Sequence, residues 1–222
     1  MNKNEQAIEY MREQNYEEAV KLFTEYIDEF PKDPLGYINL SNLFIQIGQH
    51  EDAEKLLKRA IQLDDEAVMA YYTLGNNLFE QALYSDAQKQ YEQAINMGLN
   101  DSDVYYMLGL TLNKQALYLL SIPYLLRAIE LDSKDIEKQF QYGLTLAKSD
   151  YIKEAEDAFL KVLDHDQNHV DALYNIGVIY YMDQKYETSE NYFDRVLELR
   201  PDHRLAQDGK ESIEIRLKEL NE

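Results

Sequence analysis

Residues 71–95 read YYTLGNNLFEQALYSDAQKQYEQAI, and residues 105–129 read YYMLGLTLNKQALYLLSIPYLLRAI. The two stretches lie 34 residues apart, and they share their aromatic, leucine and glycine positions. The same interval extends through most of the chain. Gly75, Gly109, Gly143 and Gly177 form one column, continued backwards by Ser41 and Ala7. A second column is Ala19, Ala53, Ala87, Ser121, Ala155 and Ser189. A third is Ile27, Ile61, Ile95, Ile129, Leu163 and Leu197, and a fourth is Phe23, Leu57, Tyr91, Leu125, Phe159 and Phe193. No insertion or deletion interrupts the register.

A 34-residue period carrying these columns resembles the tetratricopeptide repeat family. The residues that carry the likeness are Tyr71, Leu74, Gly75, Leu78, Ala87 and Tyr91 in one copy. In the next they are Tyr105, Leu108, Gly109, Leu112, Ser121 and Leu125, and the last full copy has Leu173, Ile176, Gly177, Tyr180, Ser189, Phe193 and Pro201. The resemblance implies an all-α solenoid, a right-handed superhelix of stacked antiparallel helix pairs, A and B. It divides residues 1–203 into repeats of about 1–33, 34–67, 68–101, 102–135, 136–169 and 170–203. A lone helix pair cannot bury its apolar face, so neighbours must stack. The glycine column on helix A is expected to face the small column on helix B, and the large columns to fill the space between repeats. Residues 204–222 carry Ile213, Leu217 and Leu220 on one stripe, as a capping helix would, with Gly209 limiting how far that helix reaches back.

Composition narrows the function. The 222 residues hold 42 acidic against 22 basic side chains, a net charge of −20. Such a field repels nucleic acid and favours a basic protein or peptide partner. There is no cysteine, which excludes disulfides and thiolate chemistry and suits the cytoplasm. The run Leu117–Leu126 is uncharged, but it is half the length needed to span a bilayer, and MNKNEQAIEYMREQ lacks the apolar core of a signal peptide. No phosphate loop, zinc-protease motif, nucleophile elbow or dinucleotide fingerprint is present, so an enzyme is not expected and neither is a cofactor. The segment Asp164–Asp171, DHDQNHVD, begins like a calcium loop but has His169 where glycine is required and Asn175 at the terminal glutamate position, so no metal site is expected.

The family's inward positions map onto a concave row of Ile38, Tyr72, Tyr106, Phe140 and Tyr174. One turn on come Asn42, Asn76, Leu110, Leu144 and Val178, then Phe79 and Tyr181 with Lys114 and Lys148 beside them. Aromatic side chains bury large area with few rotamers to freeze. The resemblance therefore implies a scaffold whose groove holds a peptide segment or helix of another protein through apolar anchors, with the two lysines placed for an acidic group. Bacterial relatives that sense small peptides supply an alternative role. The co-chaperone carboxylate clamp of the family is not matched, because Ile38, Asp103 and Glu137 stand at or near its basic positions. One departure is local. Leu119 and Leu120 occupy positions that are Glu17–Glu18, Glu51–Asp52, Ser85–Asp86, Lys153–Glu154 and Glu187–Thr188 elsewhere. They either tuck beneath the A–B turn or offer a convex contact for a partner or a second copy. Pro123, in the same helix, is expected about one turn in, where its missing N–H costs little.

Overall fold

The computed structural model describes residues 2–221, with side chains through 219. Among them lie thirteen α-helices and no strand. They are α1 (Lys3–Arg12), α2 (Tyr16–Glu29), α3 (Pro34–Gln46), α4 (His50–Leu63), α5 (Val68–Glu80), α6 (Tyr84–Asn96) and α7 (Ser102–Lys114). Then come α8 (Tyr118–Leu131), α9 (Ile136–Lys148), α10 (Ile152–His165), α11 (Val170–Met182), α12 (Tyr186–Leu199) and α13 (Arg204–Asn221). Odd-numbered helices from α3 onward, and even-numbered ones from α2, each begin 34 residues after the last. The fold is an all-α solenoid of helix hairpins. The chain forms two compact units, residues 1–116 and 117–222. Within the first, α1/α2, α3/α4 and α5/α6 pack as hairpins and α1, α3, α5 and α7 lie side by side; within the second, α9/α10 and α11/α12 pack as hairpins and α13 covers α11 and α12.

The core follows two of the columns without exception. Ala19, Ala53, Ala87, Ser121, Ala155 and Ser189 are buried, and so are Phe23, Leu57, Tyr91, Leu125, Phe159 and Phe193. The isoleucine column is shallower; of its members Leu163 alone is fully buried and the rest are half-buried. The glycine column does something other than meet the small column alone. A methyl group at Gly75 would stand 2.6 Å from the Tyr91 ring, one at Gly143 2.8 Å from Phe159, and one at Gly177 2.6 Å from Phe193. Each glycine is thus the notch that admits the large ring of helix B. The small column touches the glycine backbone instead, as where the Ser189 hydroxyl donates to the Gly177 carbonyl at 2.7 Å.

The A-to-B turns show the same period in the backbone. Gln14, Gly48, Ala82, Ala116, Asp150 and Gln184 all have positive φ, between 58° and 76°. This left-handed residue succeeds the helix cap and lets the next N–H reach back across the last turn. Asn15 thereby donates to the Tyr10 carbonyl at 2.8 Å, Gln49 to Phe44 at 2.7 Å, Leu83 to Leu78 at 2.9 Å, Tyr151 to Leu146 at 3.0 Å and Lys185 to Tyr180 at 2.9 Å. The donating residue is at once the N-cap of the B helix. One of the six left-handed positions is a glycine, so five carry the steric cost of a Cβ there.

The B-to-A turns, except the one at Ala67 before α5, rely on side-chain caps. Asp33, Asp101 and Asp135 accept from backbone N–H groups of α3, α7 and α9 at 2.9–3.1 Å. At the next two positions of this column the acceptor is a histidine Nδ1: His169 takes the Ala172 N–H at 3.1 Å and His203 the Ala206 N–H at 3.2 Å. These bonds place His169, with Asp166 bonded to the Asn168 N–H at 3.0 Å, in an ordinary interhelical turn. Asp135 also pairs with the buried ammonium of Lys138 at 3.2 Å, and Asp132 approaches that ammonium at 3.5 Å. Burial works against the Asp135 carboxylate, but the Lys138 N–H and ammonium, with the Glu137 N–H, outweigh it and hold the carboxyl below its usual range.

The helix α8 runs unbroken from Tyr118 to Leu131 with Pro123 as its sixth residue. Pro123 therefore lies beyond the first turn, and its ring costs the ladder a bond to the Leu119 carbonyl, of the order of 3 kcal/mol. Leu119 and Leu120 do not tuck beneath the turn. They are 62% and 57% exposed.

The turns and caps set two stability expectations. Ala82→Gly relieves a left-handed alanine and should stabilise by about 0.5–1 kcal/mol, while Gly48→Ala should cost about 1 kcal/mol; thermal midpoints of the two variants measure both. For Asp135 the folded pKa is lowered, so its contribution is complete above the unfolded value near 3.8 and is lost as pH falls through the folded one. Asp135→Asn should cost about 1–2 kcal/mol at neutral pH and flatten the loss of stability below about pH 4 in a denaturation series.

Candidate functional site

The A helices carry the residues expected to form the groove, and the two units display them separately. In the N-terminal unit Ile38 is buried at 6% exposure, so it belongs to the core. Asn42, Tyr72, Asn76, Phe79, Tyr106 and Leu110 are half-buried, and Lys114 is exposed as the last residue of α7. Tyr72 rests on the Tyr91 ring at 6.0 Å, and Phe79 meets Tyr84 edge-on at 5.4 Å. The Tyr91 hydroxyl donates to Asn76 Oδ1 at 2.8 Å, which commits that amide oxygen to the fold. Burial, then the neighbouring Tyr72 and Glu80, push the Tyr91 hydroxyl well up, so it remains a donor at neutral pH.

In the C-terminal unit Phe140 is buried at 7% exposure, held between Phe159 at 5.6 Å and His169 at 4.8 Å. It is a packing residue and leaves the accessible face. Its neighbours Leu144, Tyr174, Val178 and Tyr181 are half-buried, and Lys148 is exposed with its ammonium 5.2 Å from the Tyr118 ring. Tyr174 repeats the Phe140 arrangement one period on, against Phe193 at 5.9 Å and His203 at 5.1 Å, but it keeps an open side. The difference lies in the helix on its outer side. Beyond Tyr174 stands α13, whose small Gly209 and Ser212 leave a cavity of about 230 Å³. Tyr174, Val178 and Tyr181 form one wall, Leu205 and Asp208 the other, and Phe193 the floor. A second, more polar depression of about 400 Å³ adjoins it where Tyr181 and Tyr186 face Arg216 and Glu219. Tyr181 also meets the Tyr186 ring at a tilt, 5.7 Å between ring centres.

The contribution of α13 escapes a reading of the sequence. Gly209 does not stop the helix, which runs straight through it. A methyl there would stand 2.7 Å from the Phe193 ring, whose other edge fills the notch at Gly177. Ile213 is buried as a capping residue should be, whereas Leu217 is 40% exposed and the side chain of Leu220 lies outside the described residues. The apolar columns do not announce Leu205, Asp208 or Arg216 as cavity residues, because α13 keeps the 34-residue register of the A helices but not their residue types.

Helix hairpins stacked at a fixed 34-residue interval, with a partly open aromatic A-helix face, define a repeat scaffold of the kind that engages other proteins. Profiles described as tetratricopeptide repeat match residues 10–69, 72–136 and 170–203. The crystal structure of YrrB, described as a TPR protein with an unusual peptide-binding site, is 36% identical; the match covers 85% of this chain and 97% of that one, with a TM-score of 0.79. The chain belongs to the tetratricopeptide repeat family. MamA from Desulfovibrio magneticus, at 21% identity, shares the fold over 75% of this chain and 94% of its own with a TM-score of 0.70. The C-terminal part of a TPR repeat-containing protein from Cytophaga hutchinsonii, at 17% identity, does so over 88% and 78% with a TM-score of 0.74. No curated protein sequence matches significantly. Proteins of this fold are protein–protein interaction scaffolds, generally non-catalytic, that bind other proteins or peptides. Among the described residues no helix is long and apolar enough to cross a membrane, and no cluster of histidine and carboxylate side chains is placed to hold a metal ion.

Gly209→Ala separates the two roles open to this glycine. A helix-limiting residue would gain stability on substitution, by about 1 kcal/mol. Overpacking against Phe193 should instead lower stability by about 1–2 kcal/mol, and Phe193→Leu in the same chain should recover part of it, as read by denaturant titration.

Proposed function

We propose that the protein is a non-catalytic scaffold that holds a peptide segment or helix of a partner protein on its A-helix face. In this reading residues 1–203 form six repeats and 204–222 cap them. The single observation that carries the proposal is the cavity walled by Tyr174, Val178, Tyr181 and Leu205, which matches one large apolar anchor in size and lining. Tyr72, Phe79, Tyr106 and Leu110 in the N-terminal unit, with Asn42 and Asn76, offer further half-exposed contact surface of the same character. The net charge of −20 and the carboxylate of Asp208 in the cavity wall favour a segment that is basic around its apolar anchor. The description of YrrB as a peptide binder, at 36% identity, supports the same assignment. The cysteine-free composition suits a reducing compartment and supports a cytoplasmic setting.

A panel of short peptides, each with one aromatic or leucine anchor flanked by lysines, by glutamates or by serines, tests this by calorimetry. The lysine-flanked set should bind the full chain most tightly, and more weakly as salt rises. Tyr181→Ala and, separately, the more exposed Leu205→Ser should each weaken that binding by about tenfold or more while leaving the far-ultraviolet spectrum unchanged. Equal binding by both variants and the parent would remove the cavity from the site.

A further inference from the structure

The solvent side of α8 is the most distinctive surface of the C-terminal unit. Leu119, Leu120 and Leu126 are 62%, 57% and 41% exposed, Pro123 stands exposed among them, and Leu117 and Leu131 extend the strip at its ends. At about 400 Å² the leucines alone reach the size at which a surface patch on a single chain is commonly an interaction site.

This face departs from helix chemistry twice. Every other B helix has an acidic residue in its first turn: Glu17 and Glu18 in α2, Glu51 and Asp52 in α4, Asp86 in α6, Glu154 in α10 and Glu187 in α12. In α8 there is none. Carboxylates there would favour the helix by roughly 0.3–1 kcal/mol each through the dipole. Pro123 removes a ladder bond on the same face, where α2, α4 and α6 carry Lys21, Lys55 and Lys89. Two concessions in helix stability, both confined to the solvent side, make an apolar strip that the fold itself does not use.

Charge selects the occupant. The chain is acidic nearly throughout, so two copies repel through most faces. The segment 102–135 holds four acidic and three basic residues, net −1, and is the least acidic of the six 34-residue segments. A basic partner would be drawn to the acidic faces and gains nothing from this one. The strip is also self-complementary. Across a two-fold axis near Pro123 an antiparallel copy sets Leu119 and Leu120 against the Leu126 end of its mate. Arg127, paired with Glu130 at 2.9 Å within one helix, then stands at each end of the contact, opposite Leu119 of the mate. We propose that α8 is the contact of a symmetric homodimer, formed between two copies of this chain back to back and leaving the A-helix faces open. The leucine area lies below that of a standard stable interface, so the dimer is weak, with a dissociation constant on the order of micromolar.

Sedimentation equilibrium of the full chain over a wide concentration range tests it. The expected mass rises from one chain to two, and the dimer fraction increases with added salt, because screening relieves repulsion between acidic copies without weakening an apolar contact. Leu119→Glu/Leu120→Glu should raise the dissociation constant at least about thirtyfold. Its thermal midpoint should be unchanged or higher, since it restores first-turn carboxylates. Pro123→Lys should raise the midpoint and weaken the dimer, while Tyr181→Ala should leave the mass untouched. A single-chain mass at every concentration overturns the proposal. So does a dimer indifferent to the α8 substitutions, or a different protein occupying this face while the pure chain stays monomeric.

Discussion

The hairpins depend on the fit of an aromatic ring against a missing methyl. Tyr91, Phe159 and Phe193 each press against the bare backbone of a glycine on the partner helix, at separations no Cβ could share. That approach sets the spacing of the A and B helices in those hairpins. It also fixes where the first A-helix row sits, because Tyr72, Phe140 and Tyr174 rest on the same three rings. The groove row and the core are therefore one stack of aromatic side chains. How far each A-helix ring is exposed depends on what covers its outer side.

That dependence accounts for the uneven site. Phe140 and Tyr174 hold equivalent positions and touch equivalent partners, a B-helix phenylalanine and an N-cap histidine. Phe140 is covered and Tyr174 is open toward the cavity, because α13 presents Gly209 and Ser212 there rather than the bulk of another full repeat. A terminal helix that caps with small residues both covers the last hairpin and leaves a cavity beside Tyr174. The proposed partner-binding surface is thus concentrated where the regular pattern ends.

The solvent side of the B helices obeys a different logic. Along the other B helices the first turn is acidic and the exposed face polar, which favours the helix and keeps acidic chains apart. In α8 both features are absent together, and no packing within the fold requires their absence. The A-helix rings and the α8 strip are independent surfaces. The first is an extension of the core rings, and the second is an interruption of the surface charge.

The period of 34 residues makes the fold legible at once, since four columns of small and large residues aligned over six copies admit few arrangements besides stacked hairpins. The buried columns, the helix starts and the anomaly at Leu119–Leu120 are all readable because each is a property of residue type at a fixed interval. Other features are not. The left-handed turn recurs at Gln14, Ala82, Ala116, Asp150 and Gln184, yet no shared residue type marks it, because the backbone is forced there by the hairpin rather than chosen by the side chain. Gly209 reads as a helix stop and is a notch, since a glycine's meaning depends on which ring stands opposite. Ile38 and Phe140 read as contact residues and are core, because column membership specifies direction but not depth. The amino-acid pattern alone determined which faces of each helix turn inward and that hairpins must stack; only the packed structure decided which of those inward side chains still reach water, because that depends on neighbours outside the repeat.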